Sequence, residues 1–105
     1  MKKIALGLLL AGLAATAAHS ADQRLLNAEI ANLVAGKQVF MGGGYANFGK
    51  DRSFNFSGLF TGKWRATNRQ ICLVYDLGGT NCYPVVRNGK AYFILDNAGN
   101  RFPVK

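Results

Sequence analysis

Cys72 and Cys82 are the two side chains of this 105-residue chain whose type and spacing prescribe a reaction most directly. Their spacing is not the two-residue interval of a thioredoxin-type pair, and two cysteines do not make a four-ligand metal set. In an exported chain they read as one disulfide. Closing a loop of about 11 residues, such a bridge contributes on the order of 2–3 kcal/mol, chiefly by restricting the unfolded chain. The remaining chemistry is defined by what is missing. His19 is the only histidine, and it falls in a segment expected to be removed. That leaves the mature chain without Ser-His or Cys-His nucleophiles, a histidine base, or the usual zinc and transition-metal ligands. Its acidic residues are Asp22, Glu29, Asp51, Asp76 and Asp96. The first two belong to an expected helix and the others flank turns, where Asp is ordinarily structural. No spacing pairs two carboxylates for glycoside hydrolysis. Gly42-Gly43-Gly44 lacks the Gly-Lys-Ser/Thr ending and the following helix of a phosphate loop, and reads as a strand turn or bulge. A non-enzymatic protein with no cofactor and no metal is expected.

The compartment follows from the first twenty residues. Met1-Lys2-Lys3 is a short positive region, Ile4 to Ala18 is uncharged and rich in Leu and Ala, and Ala18-His19-Ser20 places small residues where a signal peptidase reads. This predicts a cleaved signal peptide over 1–20, a periplasmic or secreted product, and a single β-rich domain over 21–105. The apolar run is shorter than the ~20 residues of a spanning helix, and no cysteine is placed to carry a lipid. No transmembrane segment is expected after cleavage. Loss of Lys2 and Lys3 takes the net charge from +8 to +6, a strong positive balance that favours anionic partners. Lys63, Arg65, Arg69, Arg87, Lys90 and Arg101 are the candidate anion-binding residues, because they sit on polar strand faces or at turns. Lys63-Trp64-Arg65 does not make a nucleic-acid stacking surface, since in a strand Trp64 points away from its two neighbours.

The elements that must position these residues are legible in outline. Leu25, Leu26, Ile30, Leu33 and Val34 form one apolar stripe at helical spacing, which predicts a helix over 22–35, capped by Asp22 and stopped by Gly36. After Gly36 the grammar changes to short strands, expected near 37–42, 45–49, 53–59, 62–67, 70–76, 81–87, 91–95 and 100–104. Turn signals lie at Gly49-Lys50-Asp51, Asn68-Arg69, Gly78-Gly79, Asn88-Gly89 and Asn97-Ala98-Gly99-Asn100. If the strands at 70–76 and 81–87 pair about Leu77, Cys72 and Cys82 face each other on one side and Ile71, Leu73, Tyr75, Tyr83 and Val85 take the other. Phe54, Phe56, Gly58, Phe60, Gly62, Trp64 and Ala66 occupy consecutive alternate positions. That aromatic, glycine-rich face has two readings: barrel core centred on Trp64, which is the expected one, or a ligand groove floored by Phe54, Phe56, Phe60 and Trp64.

Glu29-Ile30, Leu33-Val34-Ala35-Gly36, Gly62-Lys63-Trp64, Ile71-Cys72-Leu73 and Cys82-Tyr83 together resemble a class of small exported proteobacterial β-rich proteins of unassigned function. These combine a signal peptide, a short helix and a disulfide-bearing β-meander. More loosely, the Gly-x-Trp strand and the disulfide are similar to lipocalin-like and periplasmic inhibitor barrels, although no inhibitory loop is recognisable. The expected fold is mainly β, a small antiparallel barrel or strongly curved meander of about 7–8 short strands with one N-terminal amphipathic helix packed on it. The expected function is an exported binding module for an anionic envelope glycan, lipid headgroups or an envelope protein, without specific nucleic-acid binding. The alternative is a periplasmic inhibitor or structural envelope protein acting through a protein interface.

Overall fold

The computed structural model describes residues 21–105; the expected leader at 1–20, with His19, lies outside the described residues. An extended pair, β1 (Gln23–Arg24), precedes helix α1 (Asn27–Val34). Eight strands follow: β2 (Gln38–Phe40), β3 (Tyr45–Phe48), β4 (Ser53–Phe56), β5 (Phe60–Thr67), β6 (Gln70–Tyr75), β7 (Thr80–Asn88), β8 (Ala91–Leu95) and β9 (Arg101–Val104). From β2 to β9 each pairs antiparallel with the next, in chain order. β2 and β9, the two ends of that path, lie side by side, so the sheet curls into a nearly closed barrel of 8 strands.

Each predicted strand is present, with ends displaced by at most three residues. The turns explain why. Asn68 and Arg69 both adopt positive φ, 52° and 60°, which makes the tight two-residue loop between Thr67 and Gln70 whose twist matches that of the strands. The β6–β7 register is the one the cysteines require. Cys72 lies opposite Cys82, their Cα atoms 4.0 Å apart, and the disulfide is formed.

Two expectations at the amino end are corrected. The helix begins at Asn27 rather than at residue 22, and Asp22 does not cap it. Glu29 instead accepts a hydrogen bond from the Leu26 N–H at 2.8 Å, the reach-back half of a capping box. Residues 23 and 24 pair with Arg87 and Val86 of β7, and Leu25 N–H donates to the Val85 carbonyl at 3.0 Å. The cause is tertiary. β6 pairs with β7 only as far as Pro84, which leaves the last stretch of β7 with an open edge. The amino-terminal segment covers that edge, and this outweighs the local helical pattern. Leu25 is buried through this route, whereas Leu26 is 57% exposed.

In an up-and-down barrel successive turns alternate between the two ends, so the ends differ in sequence and here also in character. The β3–β4, β5–β6 and β7–β8 turns share one end with α1. The helix crosses that end. Its first residue, Asn27, accepts from the Arg69 N–H in the β5–β6 turn at 2.7 Å. Beyond its last residue, Gly36 N–H donates to the Phe48 carbonyl at 2.6 Å. Gly36 has φ +79°, the left-handed stop expected at this position. Ile30 and Val34, both 0% exposed, press into the barrel against Trp64, Ile71 and Phe48. This end is closed. The β2–β3, β4–β5, β6–β7 and β8–β9 turns surround the other end, which no helix among the described residues covers.

Candidate functional site

Trp64 lies deep under the closed end, at 1% exposure. Its indole N–H donates to the Gly49 carbonyl at 2.8 Å, its main-chain N–H donates to the Arg52 carbonyl at 2.9 Å, and the Arg52 guanidinium lies 4.4 Å from the ring centroid. A contiguous set of rings runs from it along the barrel axis. Phe48 meets Trp64 edge-on at 6.1 Å, Phe54 meets Phe48 at 5.5 Å, and Tyr75 meets Phe54 edge-on at 6.2 Å. Gly62 lies beside this last contact. It sits between Phe54 and Tyr75 in the sheet, and a Cβ there would collide with the Val74 main chain. The glycine lets the β6 main chain come close at this point.

Above Phe54 the rings no longer fill the barrel. A cavity of about 560 Å3 opens to the uncovered end, within the ~300–1,000 Å3 of ordinary ligand sites. Each of the four turn regions at that end contributes to it. Met41 comes from the β2–β3 side, Phe56 and Phe60 flank the β4–β5 turn, Leu77 and Gly78 lie in the β6–β7 turn, and Asp96 and Phe102 come from the β8–β9 side. Phe54 and Leu73, both 3% exposed, form the floor. The rim is bare: Leu59 is 77%, Phe60 54% and Leu77 97% exposed. A smaller hollow of about 320 Å3 lies at the β2–β9 seam, bordered by Gln38, Phe40, Tyr45, Pro103 and Lys105.

One wall of the cup is polar. Tyr75, Asn81 and Tyr83 lie on β6 and β7, where Asn81 Nδ2 donates to the Tyr75 hydroxyl at 3.1 Å. Burial, and after it the neighbouring Tyr75 and Asp96, push the Tyr83 phenol above its ordinary value. Asp96 is committed to its own turn. Its carboxylate accepts from the Asn100 side chain and from the Ala98 and Asn100 N–H groups, all within 3.0 Å. Led by the Asn100 side-chain bond, these contacts hold it below the usual carboxylate range. Among the described residues no lysine or arginine borders the cavity.

The expected groove and the expected core are thus different parts of one face. Trp64 is core; Phe54, Phe56 and Phe60 line the cup. Spacing places all four on one side of the sheet but does not reveal that the barrel is plugged at one end only. The expectation overlooked Met41, Leu73, Tyr75, Asn81, Tyr83 and Phe102. For Leu73, Tyr75 and Tyr83 the signal was present, since the alternation in 70–87 already put them on the disulfide-free face.

The six candidate cations are not gathered into one patch. Arg69 is a tie: its guanidinium donates to the carbonyls of Arg24 and Leu25, at 2.7 and 3.4 Å. Arg87 donates to Gln23 Oε1 at 2.7 Å. Arg101 forms a two-pronged ion pair with Asp22, at 2.7 and 2.9 Å, and its guanidinium also lies 4.5 Å from the Phe93 ring centroid. All three hold the amino-terminal segment in place. Lys63 and Arg65 point outward from β5, and Lys90 stands in the β7–β8 turn; all three are exposed. Lys50, Arg52, Arg69, Arg87, Lys90 and Lys105 lie at the closed end and outnumber Glu29 on α1 and Asp51 in the β3–β4 turn there, whereas Asp76 and Asp96 lie in turns at the open one. Among the described residues no three of His, Cys, Asp or Glu come together as a metal-binding group. No family model, curated protein or solved structure matched this chain when it was compared with them.

Proposed function

We propose that this protein is a non-enzymatic, exported binding module whose site is the open cup, and that the cup receives the apolar part of a small ligand. The observation that carries this reading is the mismatch between the two ends of one barrel. At one end a helix and Trp64 fill the interior. At the other, six aromatic rings stand around space that no described residue occupies. A small domain gains stability from every ring it buries, at about 25 cal/mol per Å2, so an unfilled aromatic mouth with a bare rim is spent on something other than stability. The cup joins an apolar floor to a few convergent polar groups, the usual make-up of small-molecule sites. It holds no pairing of nucleophile, base and orienting group.

The test is a neutral fluorescent probe whose emission rises in apolar surroundings, titrated into the mature protein. Enhancement that saturates at one probe per chain, and that Phe60→Ser abolishes, is the expected result. Emission unchanged by the protein would remove the cup from consideration.

The exposed Lys63, Arg65 and Lys90, with the other cations around the closed end, favour a second contact: with an anionic envelope glycan, lipid headgroups or an acidic envelope protein. Binding to anionic vesicles should fall steeply between about 50 and 300 mM salt as the screening length contracts from about 14 to 6 Å. Reversing Lys63, Arg65 and Lys90 together should weaken it without altering the fold. If no binding occurs even at low salt, the charge serves solubility only.

A further inference from the structure

The electrostatics of the cup run opposite to those of the chain. The net charge of the sequence is strongly positive, yet among the described residues the cavity is bordered by no cation and by one carboxylate, Asp96. A second, Asp76, sits in the β6–β7 turn just outside, held by the Thr61 hydroxyl at 2.7 Å. Arg101 starts β9 at this end but turns its guanidinium away to Asp22. An anionic group entering the cup would lose its water, meet no counter-charge and face Asp96, which is unfavourable twice over. A cationic group gains little either. The Asp96 carboxylate already accepts three hydrogen bonds from its own turn and is poorly placed to hold a cation. What the wall does offer are neutral groups that both donate and accept: the hydroxyls of Tyr75 and Tyr83 and the carboxamide of Asn81. The rest of the lining is ring faces and edges, with Met41 as the adaptable member, which suits a flat ring system.

We infer that the cup selects an uncharged, ring-bearing amphiphile, with its flat apolar body against Phe54, Phe56, Phe60 and Phe102 and its one polar group toward Tyr75, Asn81 and Tyr83, and that it rejects the anionic counterpart despite the positive charge of the chain. This rests on the cup being the binding site. It makes the protein a divided object, with anion attraction at the closed end and anion rejection at the open one. A fatty-acid-type carboxylate, which the overall charge alone would suggest as cargo, is the ligand the cup excludes.

A matched pair of probes tests this: N-phenyl-1-naphthylamine, which is neutral, and 1-anilinonaphthalene-8-sulfonate, which has the same rings and one negative charge. Each is titrated into the mature protein and into the Phe60→Ser and Asn81→Arg variants. Cup binding is the part of each signal that Phe60→Ser removes; sulfonate binding that survives this change belongs to the cations outside the cup. The expected result is cup binding of the neutral probe roughly tenfold or more tighter than that of the sulfonate, the size of one like-charge contact near a protein surface. Asn81→Arg, which places a cation on the wall at an exposed position, should narrow or invert the preference. Equal or tighter cup binding of the sulfonate by the unaltered protein overturns the selectivity while leaving the cup as the site. Absence of cup binding by either probe overturns the selectivity and the site together.

Discussion

The two ends of this barrel are built from the same strands and do opposite things. At the closed end, side chains and main chain are satisfied by one another. Trp64 is bonded through both of its N–H groups, α1 is tied to the strands at both of its ends, and Ile30, Val34 and Ile71 are at most 1% exposed. At the open end the aromatic rings point into a cavity and the rim residues Leu59 and Leu77 face outward. The difference teaches how a chain of this size divides its apolar residues. A thin core hides only ~60–65% of the surface, so stability is concentrated where a helix can complete it. The rings left at the far end are free to meet something else.

The sharpest way to break the comparison is to exchange damage between the ends. Trp64→Ala should cost about 3–5 kcal/mol, enough to prevent folding in a domain this small. Phe60→Ser, an aromatic change on the same strand face, should cost less than about 1 kcal/mol because Phe60 is already half exposed. Thermal melts of the two variants measure the contrast, and equal losses would show that the ends are not energetically distinct. Next in size is the disulfide, which lies on the wall between the ends. Replacing both Cys72 and Cys82 with serine should remove about 2–3 kcal/mol and lower the melting temperature by roughly ten degrees or more. Cup binding by the neutral probe should survive in whatever fraction remains folded. Smaller again is Arg69→Ala, which frees two carbonyls of the amino-terminal segment, at about 1–2 kcal/mol. Hydrogen exchange should quicken at Leu25 and in the stretch of β7 that Gln23–Arg24 cover, with no change around Tyr75. If exchange instead quickens first at the mouth, the two ends are coupled and do not act as separate parts.

The smallest effect concerns pH. Asp96 has its carboxyl held below 3.8 by hydrogen bonds within its turn. With the folded value depressed, its contribution is fully present above the unfolded value and is lost as pH falls through the folded one. The β8–β9 turn should therefore keep its structure down to about pH 4 and loosen only below it. Amide chemical shifts of Ala98 and Asn100 are the measurement. A transition near neutral pH at those amides would mean that the hydrogen bonds of the turn do not hold the Asp96 carboxylate ionised.

Much of this architecture could be read from residue order. Alternation gave the eight strands after Gly36, and Asn68-Arg69 and Asn88-Gly89 marked hairpins, because turn chemistry and side-chain parity are local properties. The opposition of Cys72 and Cys82 followed from a hairpin centred on Leu77. Gln23–Arg24 was misread as helix because its strand character comes from an uncovered edge on β7, more than sixty residues away. The cup was only half legible for a related reason. Phe54, Phe56, Phe60 and Trp64 share a periodicity, and what separates them is their height along the barrel, which exists only once the sheet has curled and α1 has stopped one end. The cations were legible as charges but not as partners. Arg69, Arg87 and Arg101 spend theirs on Arg24, Leu25, Gln23 and Asp22, contacts that depend on where the amino-terminal segment lies.

An even number of strands after the helix has one more consequence. β2 leaves the plugged end and β9 returns to it, so Lys105 lies there beside Gln38. Whatever grips the barrel at Lys105, whether a bead or a surface, holds it by the plugged pole. The mouth then faces away from that point of attachment, as a socket faces away from its mounting plate, and capture assays that attach the protein there leave it unobstructed.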